Sequence, residues 1–432
     1  MKPTTLHAVC TLSLSVLVTA CPLHVVHDTN EPLNNQRRSA QHDTARTAIE
    51  HVRVFNGIRF EEPQTVCIDG GWNVDIGTCS DPTLRVNGAG KFLIPGLIDS
   101  HLHLSGVQSL EEFTSYGCTT AMHMNCGNYT QCHINADQPG LASFKFASMS
   151  AVGYGSPHSK TQPRPNSTLI FPDTDVVRFA QDGFNNGSDY SKITAEISGP
   201  SLEQQIQMIN VARHQYSKQS MTHAADIMAY SQAVASNTDG IQHVPDDGIL
   251  SNSTIKRILQ QKQFVTPTLN VFEFAYRSKT LQKYFSVTPG SNRTIQHAET
   301  NAKLLYQHGV PLIAGTDSVG QLAVGDETAL VPWGLSLHFE LKNFVSVLGM
   351  SPAEAINSAT RDAAKWHRMA DRGSIEVEKR ADLVLLNKDP LADIANSLSI
   401  DRIWAFGVPV ALVAQTTNSS MKNPAFTPVK VE

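Results

Sequence analysis

Residues Gly90 to Leu104 read GKFLIPGLIDSHLHL. One apolar run, Phe92 to Ile94, breaks at Pro95-Gly96, and a second, Leu97-Ile98, ends in Asp99, His101 and His103. On a helix, two histidines one residue apart would diverge, whereas the two-residue period of a strand sends both to one face. The stretch therefore predicts a strand ending in two imidazoles that can hold a metal between them. Paired histidines are also an ordinary surface pattern, so the rest of the chain has to decide.

The middle of the chain alternates helical and strand-like segments, which argues for β/α units and a parallel sheet. Ser201-Leu-Glu-Gln204 reads as a capping box, with Leu202, Ile206, Ile209 and Tyr216 predicted on one face of the helix. A short strand, Met221-Thr222, follows and ends at His223. Further on, 301–308 reads helical and Gly309 stops it; Val310 to Ala314 is the predicted strand, with Asp317 after its end. Ser351-Pro-Ala-Glu354 opens another helix, with Pro in the first turn and Glu three residues after the cap.

In a (β/α)8 barrel the functional groups sit at the C-terminal ends of the strands. Polar residues closing apolar strands are therefore His101, His103, Lys192, His223, His243 and Asp317. Neutral imidazoles bind zinc, and a carboxylate adds charge and accepts a proton, so this set suits a two-metal hydrolytic site. Lys145, in Ser143-Phe-Lys-Phe146, is a rival lysine one strand earlier. His123, His158, His297, His338 and His367 receive no part.

Short β-type runs flank this region: His51 to Phe55 with a turn at Asn56-Gly57, then Thr65 to Ile68, the turn Asp69-Gly70-Gly71, and Trp72 to Ile76. Similar runs return at Ala381 to Leu386 and Arg402 to Phe406. The economical expectation is a small discontinuous β-sandwich from both chain ends, 43–94 and 372–417, enclosing an α/β barrel over 95–371. At 432 residues the chain has room for this, since an α/β barrel takes ~250 residues as one domain.

With 17% charged residues and a formal net charge of −5, no basic surface able to follow a phosphate backbone is expected, so nucleic acid is excluded as a partner. The opening MKPTTLHAVCTLSLSVLVTAC fits a cleaved secretory signal over 1–21, followed by a polar linker over 22–42. The apolar part is short for a bilayer span and carries His7, Ser13 and Ser15; lipidation of Cys21 is the bacterial alternative. Secretion or a secretory-pathway lumen is therefore expected, with no membrane span after cleavage. Sequons stand at Asn128, Asn166, Asn186, Asn252, Asn292 and Asn418, the last in a C-terminal tail, 418–432. Seven cysteines are too few for a disulfide scaffold in so long a chain. Cys126 and Cys132 can close a small loop. The Gly70-Gly71 turn is expected not to bring Cys67 opposite Cys79, and Cys118 reads as a buried small residue.

Pro95-Gly-Leu-Ile-Asp-Ser-His-Leu-His103, Ile241-Gln-His243, Ala314-Gly-Thr-Asp317, Pro352-Ala-Glu-Ala355 with Ala359-Thr360, and Ala381-Asp-Leu-Val384 together resemble the amidohydrolase superfamily. The likeness is to the branch holding imidazolonepropionases, Xaa-Pro dipeptidases and a fungal secreted ochratoxin-hydrolysing amidase. It runs from about Val52 to Val410. The resemblance implies that His101, His103 and Asp317 bind one metal and His223 and His243 a second. It further implies that Lys192, as N6-carboxylysine, bridges the two, and that both metals are divalent, with zinc the natural fit. Implied, too, is hydrolysis of a C–N bond in a small amide, lactam or dipeptide-like substrate by a metal-bridging hydroxide, with Asp317 as base and then acid. Two departures stand out: Val152-Gly-Tyr-Gly-Ser-Pro-His158 replaces a Gly-Gly-His-Gly-like stretch, and Val244 replaces a glycine. Substrate selection is expected from that region and from a long loop, Ser318 to Trp333. A mononuclear deaminase and a non-catalytic relative are the competing readings, and homo-oligomer formation stays open.

Overall fold

The computed structural model describes residues 45–412 except 163, 278, 285, 286, 288, 289, 325 and 326. The signal, the linker, the tail 418–432, Asn418, Cys10 and Cys21 lie outside the described residues.

Five strands open the chain: β1 (Thr47–Val54), β2 (Gln64–Asp69), β3 (Trp72–Ile76), β4 (Leu84–Asn87) and β5 (Phe92–Pro95). Seven parallel strands follow: β6 (Leu97–Leu102), β7 (Cys118–His123), β8 (Ser143–Phe146), β9 (Tyr190–Thr194), β10 (Gln219–His223), β11 (Gly240–Gln242) and β12 (Phe264–Thr266). Then come an antiparallel hairpin, β13 (Gly320–Val324) and β14 (Glu327–Val331), and the closing strands β15 (Leu383–Leu386), β16 (Ile400–Ala405) and β17 (Val408–Pro409).

The expected alternation is present, because helices separate most of the parallel strands, but the strands pair as two sheets, β6-β7-β8 and β9-β10-β11-β12. Single bridges, Ala147 to Tyr190 and Ala151 to Ile193, connect them. The expected strand at 310–314 forms no ladder; it is reduced to one bridge between Leu312 and Val265. Pro311 has no N–H to give to a ladder, and only its carbonyl is used, accepting from Val265 N at 2.9 Å. On the other side Ser100 N donates to Ala314 O at 3.0 Å. Ile98, Met122, Tyr190, Met221, Phe264 and Ile313 come together from this set of segments in one buried cluster.

Both ends of the described chain meet at β5. One edge of β5 pairs parallel with β1, and the other pairs antiparallel with β15, Leu383 opposite Pro95. The result is an eight-stranded sheet, β17-β16-β15-β5-β1-β2-β3 with β4 on β1, whose core includes Ile49, Val66, Leu93, Leu383, Leu385 and Trp404. Each fully buried aliphatic side chain there contributes about 1.5–3 kcal/mol. The pairing unites the two ends as expected, in one path of strands.

Several local expectations change. Cys67 and Cys79 are disulfide-bonded. Cys79 lies past the hairpin rather than within it: Gly77, at φ +112°, turns the chain back, and its N–H reaches Thr65 O at 2.7 Å. Cys126 and Cys132 close their loop, and Cys118 is buried and free. Ser201 and Gln204 do form a capping box, yet Leu202 and Ile206 are exposed and the buried face is Gln205, Met208 and Ile209. That helix ends at Asn210 in a wide π-type turn, so Tyr216 leaves its face and stacks on Phe184. The helix before Gly309 starts earlier, at Ile295, capped by Thr294. Where a long loop is expected over Ser318 to Trp333, the strands β13 and β14 pair antiparallel.

Candidate functional site

The site is assembled where β6, β9, β10 and β11 end. Asp99, fully buried, accepts from His101 N at 3.0 Å, Thr316 N at 3.1 Å and Thr316 Oγ1 at 2.7 Å. One carboxylate therefore locks the end of β6 to the turn that carries Asp317. Burial pushes its pKa up to about 7, against the pull of these hydrogen bonds. A Cβ on Gly315 would stand 2.8 Å from His101 N and 2.5 Å from the Thr266 methyl, so only glycine permits this approach. Asp317 (φ +54°), His243 (φ +72°) and Thr268 (φ +54°) occupy the left-handed region without being glycine. Such strain persists only where the surroundings enforce it, and it gathers at functional sites.

Those constraints bring the six expected residues to one cavity of about 360 Å³, which all of them line. His101 Nε2 and His103 Nε2 lie 3.3 and 3.2 Å from Asp317 Oδ1. Lys192 Nζ is 3.4 Å from His101 Nε2. The His243 ring centroid is 4.8 Å from that of His101 and 4.5 Å from that of His223. Lys145 points elsewhere and pairs with Asp189 at 3.2 Å.

Burial, helped by the Lys192 charge, pushes the His101 pKa down to about 3. His243 and His223 are pushed below the usual imidazole range chiefly by burial. Burial lowers the Lys192 amine to about 7. For Asp317, burial acts upward, but positive charge on the His101 and His243 rings when they are protonated, with hydrogen bonds from His101 and His103, lowers it well below the usual carboxylate range.

The donor set fits a cation. His101 Nδ1 lies 2.9 Å from Gln242 Oε1, an acceptor, so Nδ1 carries the ring proton and Nε2 presents its lone pair. That lone pair faces the Asp317 carboxylate at 3.3 Å, a repulsive contact unless a positive charge lies between. His101, His103 and Asp317 offer ligand atoms within 4.8 Å of one another. Thr268 Oγ1, 2.7 Å from His243 Nδ1, orients the ring of that further candidate ligand.

Sequence reasoning passed over His158 and Glu196. The His158 ring lies 4.5 Å from that of His223, and its Nδ1 meets Glu196 Oε2 at 2.7 Å, which leaves Nε2 as the ring nitrogen able to serve the cavity. The readable signal was Glu196, an acidic residue two positions past the end of the Lys192 strand. His123 takes a supporting part, accepting from Leu104 N at 3.1 Å. His338 bonds to Ser397 and Tyr116, His297 lies 3.2 Å from Asp246 O, and His367 is buried against Phe264.

The cavity has two characters. The helix Leu269–Arg277 turns Val271, Phe272 and Ala275 into it, an apolar wall. Its first N–H groups, of Leu269 and Asn270, donate to the buried Glu340 carboxylate at 2.9 and 2.7 Å, and burial raises that pKa to about 8. Opposite in chemistry stand Arg293 and Asp246, 2.8 Å apart, with the Tyr276 hydroxyl donating to Asp246 at 2.8 Å.

Fold and constellation define a class: α/β enzymes whose chemistry is gathered, as imidazoles, one lysine and one carboxylate, at the ends of parallel strands. The sequence model of the amidohydrolase family matches residues 92–410, and the chain belongs to that family, whose members hydrolyse carbon–nitrogen bonds. An imidazolonepropionase of Pyrobaculum arsenaticum is 38% identical over 64 residues, a match spanning 15% of this chain and 16% of that protein. Among solved structures, a Xaa-Pro dipeptidase with methionine bound in its active site is similar, with a TM-score of 0.72 and 19% identity, over 84% of this chain and 99% of that one. The ochratoxinase of A. niger is similar at a TM-score of 0.68 and 16% identity, over 84% and 95%. Such structural relatives imply a TIM-like barrel for the parallel strands.

Proposed function

We propose that this chain is a secreted, metal-dependent amidohydrolase that cleaves the C–N bond of a small amide, lactam or dipeptide-like molecule. In this reading, residues 95–371 form a closed (β/α)8 barrel flanked by a β-sandwich. The observation that carries it is the convergence of the His101 and His103 imidazoles on the Asp317 carboxylate, with Lys192 3.4 Å from His101, inside a substrate-sized cavity. His101, His103 and Asp317 would hold one divalent ion and His223 and His243 another. Zinc suits this donor set. When bound, two such ions supply Lewis acidity toward a carbonyl and make a water acidic enough to attack near neutral pH.

The chain's own groups do the rest. An ammonium has no lone pair, so Lys192 would become a metal ligand only as a carbamate, formed when its neutral amine makes a C–N bond to CO₂ and loses a proton. A pKa lowered to about 7 leaves a neutral fraction for that reaction. Asp317, held ionised, takes a proton from the attacking water and returns it to the departing amine. Phe272 and Val271 give an apolar group a dry wall. The relatives that hydrolyse a Xaa-Pro dipeptide or ochratoxin support an amide substrate of this size. Export is supported by two disulfides, which persist in oxidising compartments, and by the opening apolar segment.

The test is metal content per chain by plasma mass spectrometry, on protein secreted from a eukaryotic host, beside His101→Ala and Lys192→Ala. Two ions in the parent, lost in both variants, are expected. One ion, indifferent to Lys192→Ala, would turn the reading to a mononuclear deaminase. No ion would leave a non-catalytic relative.

A further inference from the structure

A second cavity, of about 420 Å³, lies at the opposite end of β10, β11 and β12 from the histidines. Its wall is cationic. Arg213, Lys262, Lys365 and Arg368 face it against a single carboxylate, Asp239. Asp239 is already committed: it lies 3.0 Å from Arg368 and 3.6 Å from Arg213, and it accepts from Ser220 N at 3.0 Å. Among the described residues, Lys262 and Lys365 form no ion pair. Lys262 is held at φ +54°, and Lys365 lies 5.8 Å from the Trp366 ring. The Gln261 side-chain carbonyl, also lining the cavity, is buried without a hydrogen-bond donor.

Four cations against one acid, in a chain whose net charge is −5, concentrate positive potential in one concave place. Lys262, Lys365 and Arg368 are exposed to solvent in this concavity, where like charges repel and an anion relieves that repulsion. The guanidinium groups suit oxyanions in particular, since they offer planar paired donors, while the ammonium groups act as point charges. Trp366 adds a flat apolar floor.

We propose that this cavity is a binding site for a small multivalent oxyanion, a phosphate ester or a polycarboxylate. It is separate from the proposed catalytic site and does not depend on it. The cavity is nonetheless connected to that site through the chain, since Gln219 opens the strand that ends at His223 and Asp239 immediately precedes the strand that leads to His243.

The experiment is calorimetric titration of the full chain with inorganic phosphate and, separately, citrate, at constant ionic strength. Because either anion can reach a metal in the catalytic cavity, the titrations are run in a His101→Ala background. Saturable binding is expected, weakened at least tenfold in Lys262→Glu/Lys365→Glu and unchanged in Lys388→Glu, a distant exposed lysine. A preference for phosphate or for citrate identifies which oxyanion the site serves. Thermal unfolding in the presence of the anion gives a second readout, because a ligand that binds only the folded chain raises the transition temperature. The proposal is overturned if no saturable binding occurs, or if the double variant binds as tightly as its parent. It is equally overturned if both lysine variants weaken binding alike, which would reduce the effect to general surface charge.

Discussion

The ends of the parallel strands and the sheet built from the two chain ends are stabilised in opposite ways. At the strand ends, Asp99, His101 and Lys192 are withdrawn from water, and His243 and Asp317 hold strained backbones. Burying these charges costs several kcal/mol that pairing and hydrogen bonding only partly return. In the eight-stranded sheet, Leu93, Leu383, Leu385 and Trp404 are buried with ordinary strand pairing, and Cys67–Cys79 ties its edge. Function sits where the fold is poorest in stability, and stability comes from a region with no chemistry.

Substitutions should therefore separate the two regions. The largest effect is expected from Asp317→Asn, a loss of ~10³-fold or more in turnover on an amide substrate, with a melting temperature unchanged or raised. A steep fall in melting temperature would break the contrast. Next comes Cys67→Ser with Cys79→Ser. Opening a linkage that spans 12 positions should remove about 3 kcal/mol of stability in denaturant titration while kcat/KM stays constant. Thr268→Val, which frees the His243 ring, should weaken metal binding ~10-fold in chelator competition and leave the metal-free melt nearly unmoved. The smallest effect falls to Trp72→Ala. Trp72 is partly exposed and meets Phe406 edge-on at 5.2 Å, so about 1 kcal/mol of stability and no activity should be lost.

That the six candidate residues would meet in one cavity was legible because they close apolar runs, a pattern visible without coordinates. His101 and His103 fall on one face by strand period alone. His158 was not legible, since its partnership with Glu196 joins the short helix Pro157–Thr161 to the segment after β9 and leaves no periodic trace. The role of Asp99 was hidden as well, because it depends on Thr316, 217 positions away. The Cys67–Cys79 pair defeated a reasoning based on hairpin register, because Cys79 lies beyond the hairpin after a turn at Gly77. The helix face around Leu202 and Ile206 was misjudged because apolar residues on a surface helix need not mark its buried side; there Gln205 turned inward and bonds to Pro200 O.

The union of both chain ends in one sheet also sets a timetable for synthesis. Asn73 donates from its side chain to Glu376 O, 303 positions later, and β5 is complete on one edge only when β15 arrives. At ~5–20 residues per second, a ribosome leaves the first strands without those partners for roughly 15–60 s. Through that interval the edge of β5 is an open template for foreign strands. The cysteine linkage at β2, spanning 12 positions, needs nothing made later, so it can fasten the early hairpin while the rest of the sheet is still being translated.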